Sequence, residues 1–268
     1  MKKFLSVFSA LVLAVILTAC GGATADGSYA AADNNPSNGW QTVLTFDVAD
    51  GKITNTKIDS VNLQSGTAKT KAELSKEGKY VLSPGNAGEM DVQYGVIADY
   101  INEHDGLTGI KFNDDNKTDA VAGATITFSE LPQLIDDAKK HGVVEKGDLT
   151  DGVYYAKGTT ADAQGYIPTL GYYVLNGKII AANIDAFKTE GETTTWKSTD
   201  SKEEGKVDMG ENEAPFNEQA LAVSLYMTQN EGLKNVQLTE EGAANNITGA
   251  TMVIEQYMTL FENAKLVK

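Results

Sequence analysis

The chain matches itself in register at an offset of about 126 residues, so its two halves are expected to fold alike. Asp26-Gly27 with Tyr29 recurs as Asp151-Gly152 with Tyr154, and Gly39-Trp40 recurs as Gly165-Tyr166. Asp50-Gly51-Lys52-Ile53 returns as Asn176-Gly177-Lys178-Ile179, and Ile58-Asp59 as Ile184-Asp185. Gly106-Leu107, Ile110 and Phe112 match Gly232-Leu233, Val236 and Leu238. The last match pairs Gly123-Ala124-Thr125 with Gly249-Ala250-Thr251. Agreement over most of each copy is more than accident supplies.

Within one copy, Asp-Gly opens a turn, and an apolar, β-branched segment (42–48; 169–175) leads to a second turn at Asp50-Gly51 or Asn176-Gly177. Another strand follows (53–61; 179–187), and two strands around Asp-Gly or Asn-Gly predict a hairpin. The polar stretches 64–79 and 188–206 read as loops. A helix is expected over 90–102, with Val92, Val96, Ile97 and Tyr100 on one face, and its partner over 217–229. A short strand (109–112; 235–238) should precede the Gly-Ala-Thr turn, and a closing helix (129–140; 252–265) should follow it. Strands first and helices at the flank predict an α+β fold, an antiparallel sheet with flanking helices, in two tandem copies. The copies span 26–142 and 150–268, joined by a polar linker at 143–149 that is short enough to keep them close.

Lys2 and Lys3 precede an apolar stretch, 5–17, too short to span a bilayer as a mature helix. Leu17-Thr18-Ala19-Cys20 resembles the lipobox of bacterial lipoproteins, which implies a signal peptide over 1–19, a diacylglycerol on the Cys20 sulfur and a short tether over 20–25. Cys20 is the sole cysteine, so no disulfide forms within one chain. The expected location is the outer face of the cell membrane, held by lipid, for which two acyl chains suffice. The formal charge of −15 becomes −17 once residues 1–19, with their two lysines, are removed. A surface this acidic repels nucleic acid and free anions. His104 and His141 are the only histidines, and neither stands in a zinc or haem spacing. No Gly-x-Gly-x-x-Gly follows a strand, and Asp114-Asp115 reads as a solvated turn. No nucleophile–base pair is evident, so no self-contained hydrolytic site is expected.

The Gly-Ala-Thr turns are the strongest candidates for a site. Gly123 and Ala124, and likewise Gly249 and Ala250, let a bulky group approach the backbone. A helix start after them would offer free N–H groups and a positive dipole end to a phosphate. Thr125 and Thr251 either present a hydroxyl there or simply cap the helix. Trp40 and Tyr166 are candidates for stacking on a ring, against the plainer reading of aromatics in a strand's core.

Asp-Gly-x-Tyr, Gly-Trp/Tyr, Asp/Asn-Gly-Lys-Ile and a closing Gly-Ala-Thr together resemble the FMN-binding domain family, over nearly all of the chain after residue 20. The tandem, lipobox-anchored arrangement is similar to flavinylated lipoproteins of Gram-positive extracellular electron transfer. The resemblance implies a flavin transferase that recognises a pattern close to Asp-x-x-Ser/Thr-Gly-Ala-Thr/Ser and esterifies FMN phosphate to the last hydroxyl. That places covalent FMN on Thr125 and Thr251, with Asp119 in one motif and Asn245 and Thr248 in the other. The first copy has Ala122 in the Ser/Thr position, and the second has Asn245 in the aspartate position and Val253 two residues past the acceptor. The implied function is an electron carrier, fed by a membrane donor (an NADH dehydrogenase or quinol) and discharging to external acceptors. Alternatives are a surface reductase with one specific acceptor, and a binding lipoprotein without flavin.

Cys20→Ala should release the protein into the medium or leave it unprocessed, as read by cell fractionation. Unchanged membrane retention would rule out lipidation at this residue.

Overall fold

The computed structural model describes residues 24–34, 36–202, 207, 209 and 213–268. The expected signal peptide and Cys20 lie outside the described residues. Among those described, the chain is α+β with two antiparallel sheets. The first sheet has the order β1-β2-β3, from β1 (Gly27–Ala32), β2 (Trp40–Ala49) and β3 (Lys52–Asn62). After it come α1 (Lys71–Lys76), α2 (Met90–His104) and α3 (Leu131–His141). The second half runs β4 (Gly152–Lys157), β5 (Ile167–Leu175), β6 (Lys178–Glu190), β7 (Thr193–Trp196), α4 (Lys197–Asp200), α5 (Phe216–Gln229), α6 (Glu255–Asn263) and β8 (Lys265–Leu266). Its sheet order is β7-β6-β5-β4-β8.

Both central hairpins turn on the residues expected. Asp50 and Gly51 have φ of 53° and 74°, and Asn176 and Gly177 have 52° and 76°. Two successive positive φ values suit a two-residue turn whose twist matches that of the strands, and Asp, Asn and Gly tolerate them. The Asp-Gly pairs at 26–27 and 151–152 do not make isolated turns. They open β1 and β4, which pair with β2 and β5 from Gly27↔Val48 and Gly152↔Val174 onward.

Other elements differ from expectation. The stretches 64–79 and 188–206 hold α1, β7 and α4 rather than loop alone. Thr70 and Glu73 close a reciprocal capping box on α1, which outweighs that segment's polarity. The expected strands at 109–112 and 235–238 do not form. Their backbone closes local turns instead, with Ile110 N donating to Leu107 O and Val236 N to Leu233 O, and Leu238 makes a single bridge to Ala244. On α2 the buried residues are Met90, Gln93, Tyr94, Ile97, Ala98 and Ile101. The predicted face was thus rotated, since Val92 is 54% exposed. Steps of three and four from Met90 to Ile101 define the real stripe, and the polar Gln93 within it hid it from a hydrophobicity pattern.

Alternation along each central strand divides the packing between two faces. Leu44, Phe46 and Val48 of β2 pack under α2 and α3, and Leu170, Tyr172 and Val174 of β5 pack under α5 and α6. The opposite faces meet each other: Ala32, Val43, Val61 and Leu63 from the first half form one cluster with Val153 and Ala181 from the second. Gln64 Nε2 donates to the buried Asp185 Oδ2 across this boundary at 2.6 Å. The linker is pinned to both halves, with Val144 N donating to Ser28 O at 2.8 Å and Gly147 N to Asn176 O at 2.9 Å.

Gly171 of β5 lies against the backbone just past β3, where a Cβ would overlap the Leu63 carbonyl. Gly171→Val should therefore cost about 1–3 kcal/mol, the range for overpacking, and lower the midpoint of thermal unfolding. An unchanged midpoint would mean that the sheet faces are not held together at this point.

Candidate functional site

Each Gly-Ala-Thr segment is the end of a tight turn. Ala124 N donates to Val121 O and Ala250 N to Ile247 O, both at 3.2 Å. The third turn residues, Gly123 and Gly249, have φ of 88° and 87°. That is the geometry of a type II turn, which demands glycine at this position. A Cβ would meet only ordinary contacts there, 3.5 Å from Val96 or Ala222, so the conformation and not crowding selects glycine. Ala124 and Ala250 turn inward, 8% and 2% exposed, and leave the next residue at the rim.

The threonines are then fixed by a residue that the sequence reading did not single out. Gln93 is fully buried, and its Oε1 accepts from Thr125 N (2.6 Å), Ile126 N (3.0 Å) and Thr125 Oγ1 (3.1 Å). Its Nε2 donates to Gly88 O at 2.8 Å, which sets the amide's orientation. Gln219, 126 residues on, repeats the arrangement with Thr251 N (2.8 Å), Met252 N (2.7 Å) and Thr251 Oγ1 (3.2 Å), while its Nε2 donates to Ala214 O (2.8 Å). Each hydroxyl shares its one proton between the glutamine oxygen and a second acceptor, and the second acceptors differ: Asn86 Oδ1 (3.0 Å) for Thr125, whose Oγ1 also accepts from Ala87 N (3.1 Å), and a carboxylate oxygen of Glu213 for Thr251.

This corrects the expectation that the turns open directly onto the closing helices. The N-cap of α3 is Glu130 and that of α6 is Ile254, five and three residues past the threonines. The N–H groups after the turns serve the glutamine instead. The hydroxyls lie beside the first turns of α2 and α5, whose N-caps, Glu89 and Pro215, make no side-chain cap. Asp119, Asn245 and Thr248 are exposed, and among the described residues none of them bonds its threonine. Asn245 instead donates its backbone N–H to Gln237 O at 2.8 Å.

Each threonine borders a cleft, about 420 Å³ at Thr125 and about 440 Å³ at Thr251. Lys71 lines the first with its Nζ 5.1 Å from the Trp40 ring centroid and 5.2 Å from that of Tyr80. Its counterpart Lys197 lines the second, over Tyr166 at 5.3 Å and Phe216 at 5.2 Å, and pairs with Asp162 at 2.7 Å. The aromatic pair named from sequence thus splits. Trp40 is half-buried and lines its cleft, while Tyr166 is 1% exposed in the core with its hydroxyl donating to Asp200.

The repeated Asp59 and Asp185 explain how the lysines are placed. Asp59 accepts from Ala72 N at 3.0 Å, and Asp185 from Ser198 N at 3.0 Å and Ser198 Oγ at 2.6 Å, directly after each lysine. Burial pushes both carboxyls above the ordinary range, against the hydrogen bonds they accept. Burial also lowers Lys71, with Asp59 and Glu130 opposing, and burial raises Glu130. At Asp162 burial acts upward, but the bonds from Lys197 and backbone N–H groups bring its pKa below the ordinary value. His104 and His141 are exposed, and no group of three His, Cys, Asp or Glu could hold a metal among the described residues. Nor is any described helix long and apolar enough to cross a membrane.

No family model and no curated protein matches the chain. A solution NMR structure from Clostridium thermocellum is similar at 32% identity over 43% of this chain and 90% of that one, with a TM-score of 0.34.

Gln93→Leu should remove the acceptor of two N–H groups and a hydroxyl and destabilise the first half by about 2–4 kcal/mol, since each buried donor left unpaired costs ~1–3 kcal/mol. Thermal unfolding followed by circular dichroism measures it. A stability equal to wild type would mean that water replaces the clamp.

Proposed function

We propose that the chain is a lipid-anchored electron carrier at the outer face of the cell membrane, composed of two FMN-binding domains, each holding FMN as a phosphodiester on Thr125 or Thr251. The supporting observation is the repeated clamp: the same buried glutamine presents the same threonine hydroxyl at the rim of a similar cleft in both halves. Clefts above 400 Å³ lined by aromatics, by lysine (Lys71 and Lys117 in the first, Lys197 in the second) and by the acceptor threonine suit a ligand with a flat ring and a phosphate.

A flavin transferase would form the bond from Oγ1 to phosphorus, with loss of the threonine proton and release of the donor's leaving group. The chain's part is positioning. Gln93 and Gln219 hold the hydroxyl by its own backbone, and Lys71 and Lys197 supply positive charge inside a −17 protein. Covalent attachment makes retention independent of affinity, which matters where the field repels a phosphate carrying about two negative charges. FMN, when bound, supplies the redox chemistry, and the protein sets its orientation and potential. The donor would be a membrane NADH dehydrogenase or quinol, and the acceptors external.

Intact-mass measurement of protein produced with a flavin transferase should show two FMN additions. Thr125→Ala or Thr251→Ala should leave one, and the double variant none, while serine at either position keeps a reactive hydroxyl. Wild type without covalent flavin beside a competent transferase would replace this reading with that of a binding lipoprotein.

A further inference from the structure

Asn86 meets the Thr125 hydroxyl from outside the glutamine clamp, in a segment, 83–88, that is otherwise hydrogen-bonded to the protein at its ends. At one end Leu82 N donates to Glu89 Oε2 at 2.9 Å, and at the other Gly88 O accepts from Gln93 Nε2 at 2.8 Å. Between them, among the described residues, both hydrogen bonds that leave the segment go to Thr125. Its Oγ1 shares its proton with Asn86 Oδ1 (3.0 Å) and accepts from Ala87 N (3.1 Å). Asn86 Nδ2 bonds inside the segment, to Ser83 O at 2.7 Å. Gly85 has a φ of 102°, and a Cβ there would meet nothing within 4 Å, so the segment has backbone freedom and space to move.

Esterification of Thr125 reverses what Oγ1 asks of these neighbours. The Oγ1–phosphorus bond forms as the bond from phosphorus to the leaving group of an activated FMN anhydride breaks. The leaving group keeps that electron pair, and the threonine proton passes to water. Oγ1 then has no proton to give. Gln93 Oε1 keeps its two backbone N–H donors, so the clamp survives. Asn86 Oδ1 loses its donor and faces a phosphate whose charged oxygens, two bonds beyond Oγ1, can only accept. An amide oxygen is repelled there, whereas an amide NH2 makes a charge-assisted bond. We infer that Asn86 is a two-state partner of Thr125: it accepts from the free hydroxyl through Oδ1 and, once the 83–88 segment has moved, donates through Nδ2 to the phosphodiester, beside Ala87 N. This rests on flavin attachment at Thr125. Glu89 at the end of the segment, and Lys71, Lys117 and Glu130 along the cleft, carry the same charges before and after, and none of them supplies the missing donor beside Oγ1.

Asn86→Asp separates the two roles, because a carboxylate accepts the threonine hydroxyl as the amide does but has no N–H to give. The test uses full-length Thr251→Ala protein, which leaves Thr125 as the acceptor. Without flavin, adding Asn86→Asp should leave the midpoint of thermal unfolding and the hydrogen-exchange protection of Ala87 N–H unchanged. With a flavin transferase and its donor, intact mass followed over time should show FMN addition slowed roughly tenfold or more, the scale of one hydrogen bond to a charged group. In the protein that keeps Asn86, the side-chain amide protons of Asn86 should shift in the NMR spectrum on loading and exchange more slowly. Thr125→Val, which keeps the shape and removes the hydroxyl, should free the segment without any flavin and speed exchange at Ala87. An Asn86→Asp variant modified as fast as its parent, Asn86 amide signals unmoved by loading, or unchanged exchange at Ala87 in Thr125→Val overturns the inference and leaves flavin attachment standing. Absence of covalent flavin from the Thr251→Ala protein with Asn86 intact overturns the proposed attachment at Thr125 and this inference together.

Discussion

One carbonyl oxygen, buried near the start of a helix, organises each half of this protein. Gln93 Oε1 takes two backbone N–H groups and a hydroxyl at 2.6–3.1 Å, and Gln219 Oε1 does the same at 2.7–3.2 Å. A side-chain amide inside an apolar stripe is tolerated only when its polar atoms are satisfied. The turn must therefore come to the helix in one register. That requirement explains the positive φ of Gly123 and Gly249 and the inward alanines, and it fixes each threonine at a cleft rim. The position of each threonine follows from core packing that contains one hydrogen-bonding atom.

Much of the frame was legible in the sequence, because its signals are local. Asp50-Gly51 and Asn176-Gly177 read as hairpins through their backbone demands alone, and the ends of α2 and α5 fall within two residues of expectation. What escaped depends on partners distant in sequence. β1 and β4 open on Asp-Gly pairs that read as turns, and become strands through β2 and β5. The stripe of α2 was misplaced because Gln93 belongs to it by virtue of the turn 32 residues later. Lys71 and Lys197 sit in polar stretches where only the buried aspartates reveal their placement. The repeat offset holds the missing signal in both cases: glutamine and lysine each recur at 126, and identical polar residues in otherwise divergent surroundings mark shared geometry.

The halves have kept their scaffold and let the site environment drift. Asn86 meets the first hydroxyl and the carboxylate of Glu213 meets the second, and Lys197 is paired where Lys71 is not. Trp40 lines a cleft while Tyr166 is sunk in the core and tied to Asp200. None of these changes touches the clamp, so the electrostatics of each cleft varied without disturbing the presentation of its threonine.

The face shared by the two sheets carries a consequence for how such a chain can change its copy number. Ala32, Val43, Val61 and Leu63 are covered only because a second half lies over them, and the backbone at Gly171 has closed on Leu63. Loss of either copy would leave an apolar strip in water, a liability for association that no single substitution repairs. The two halves differ at their clefts, but the apolar backs they share commit them to remain a pair.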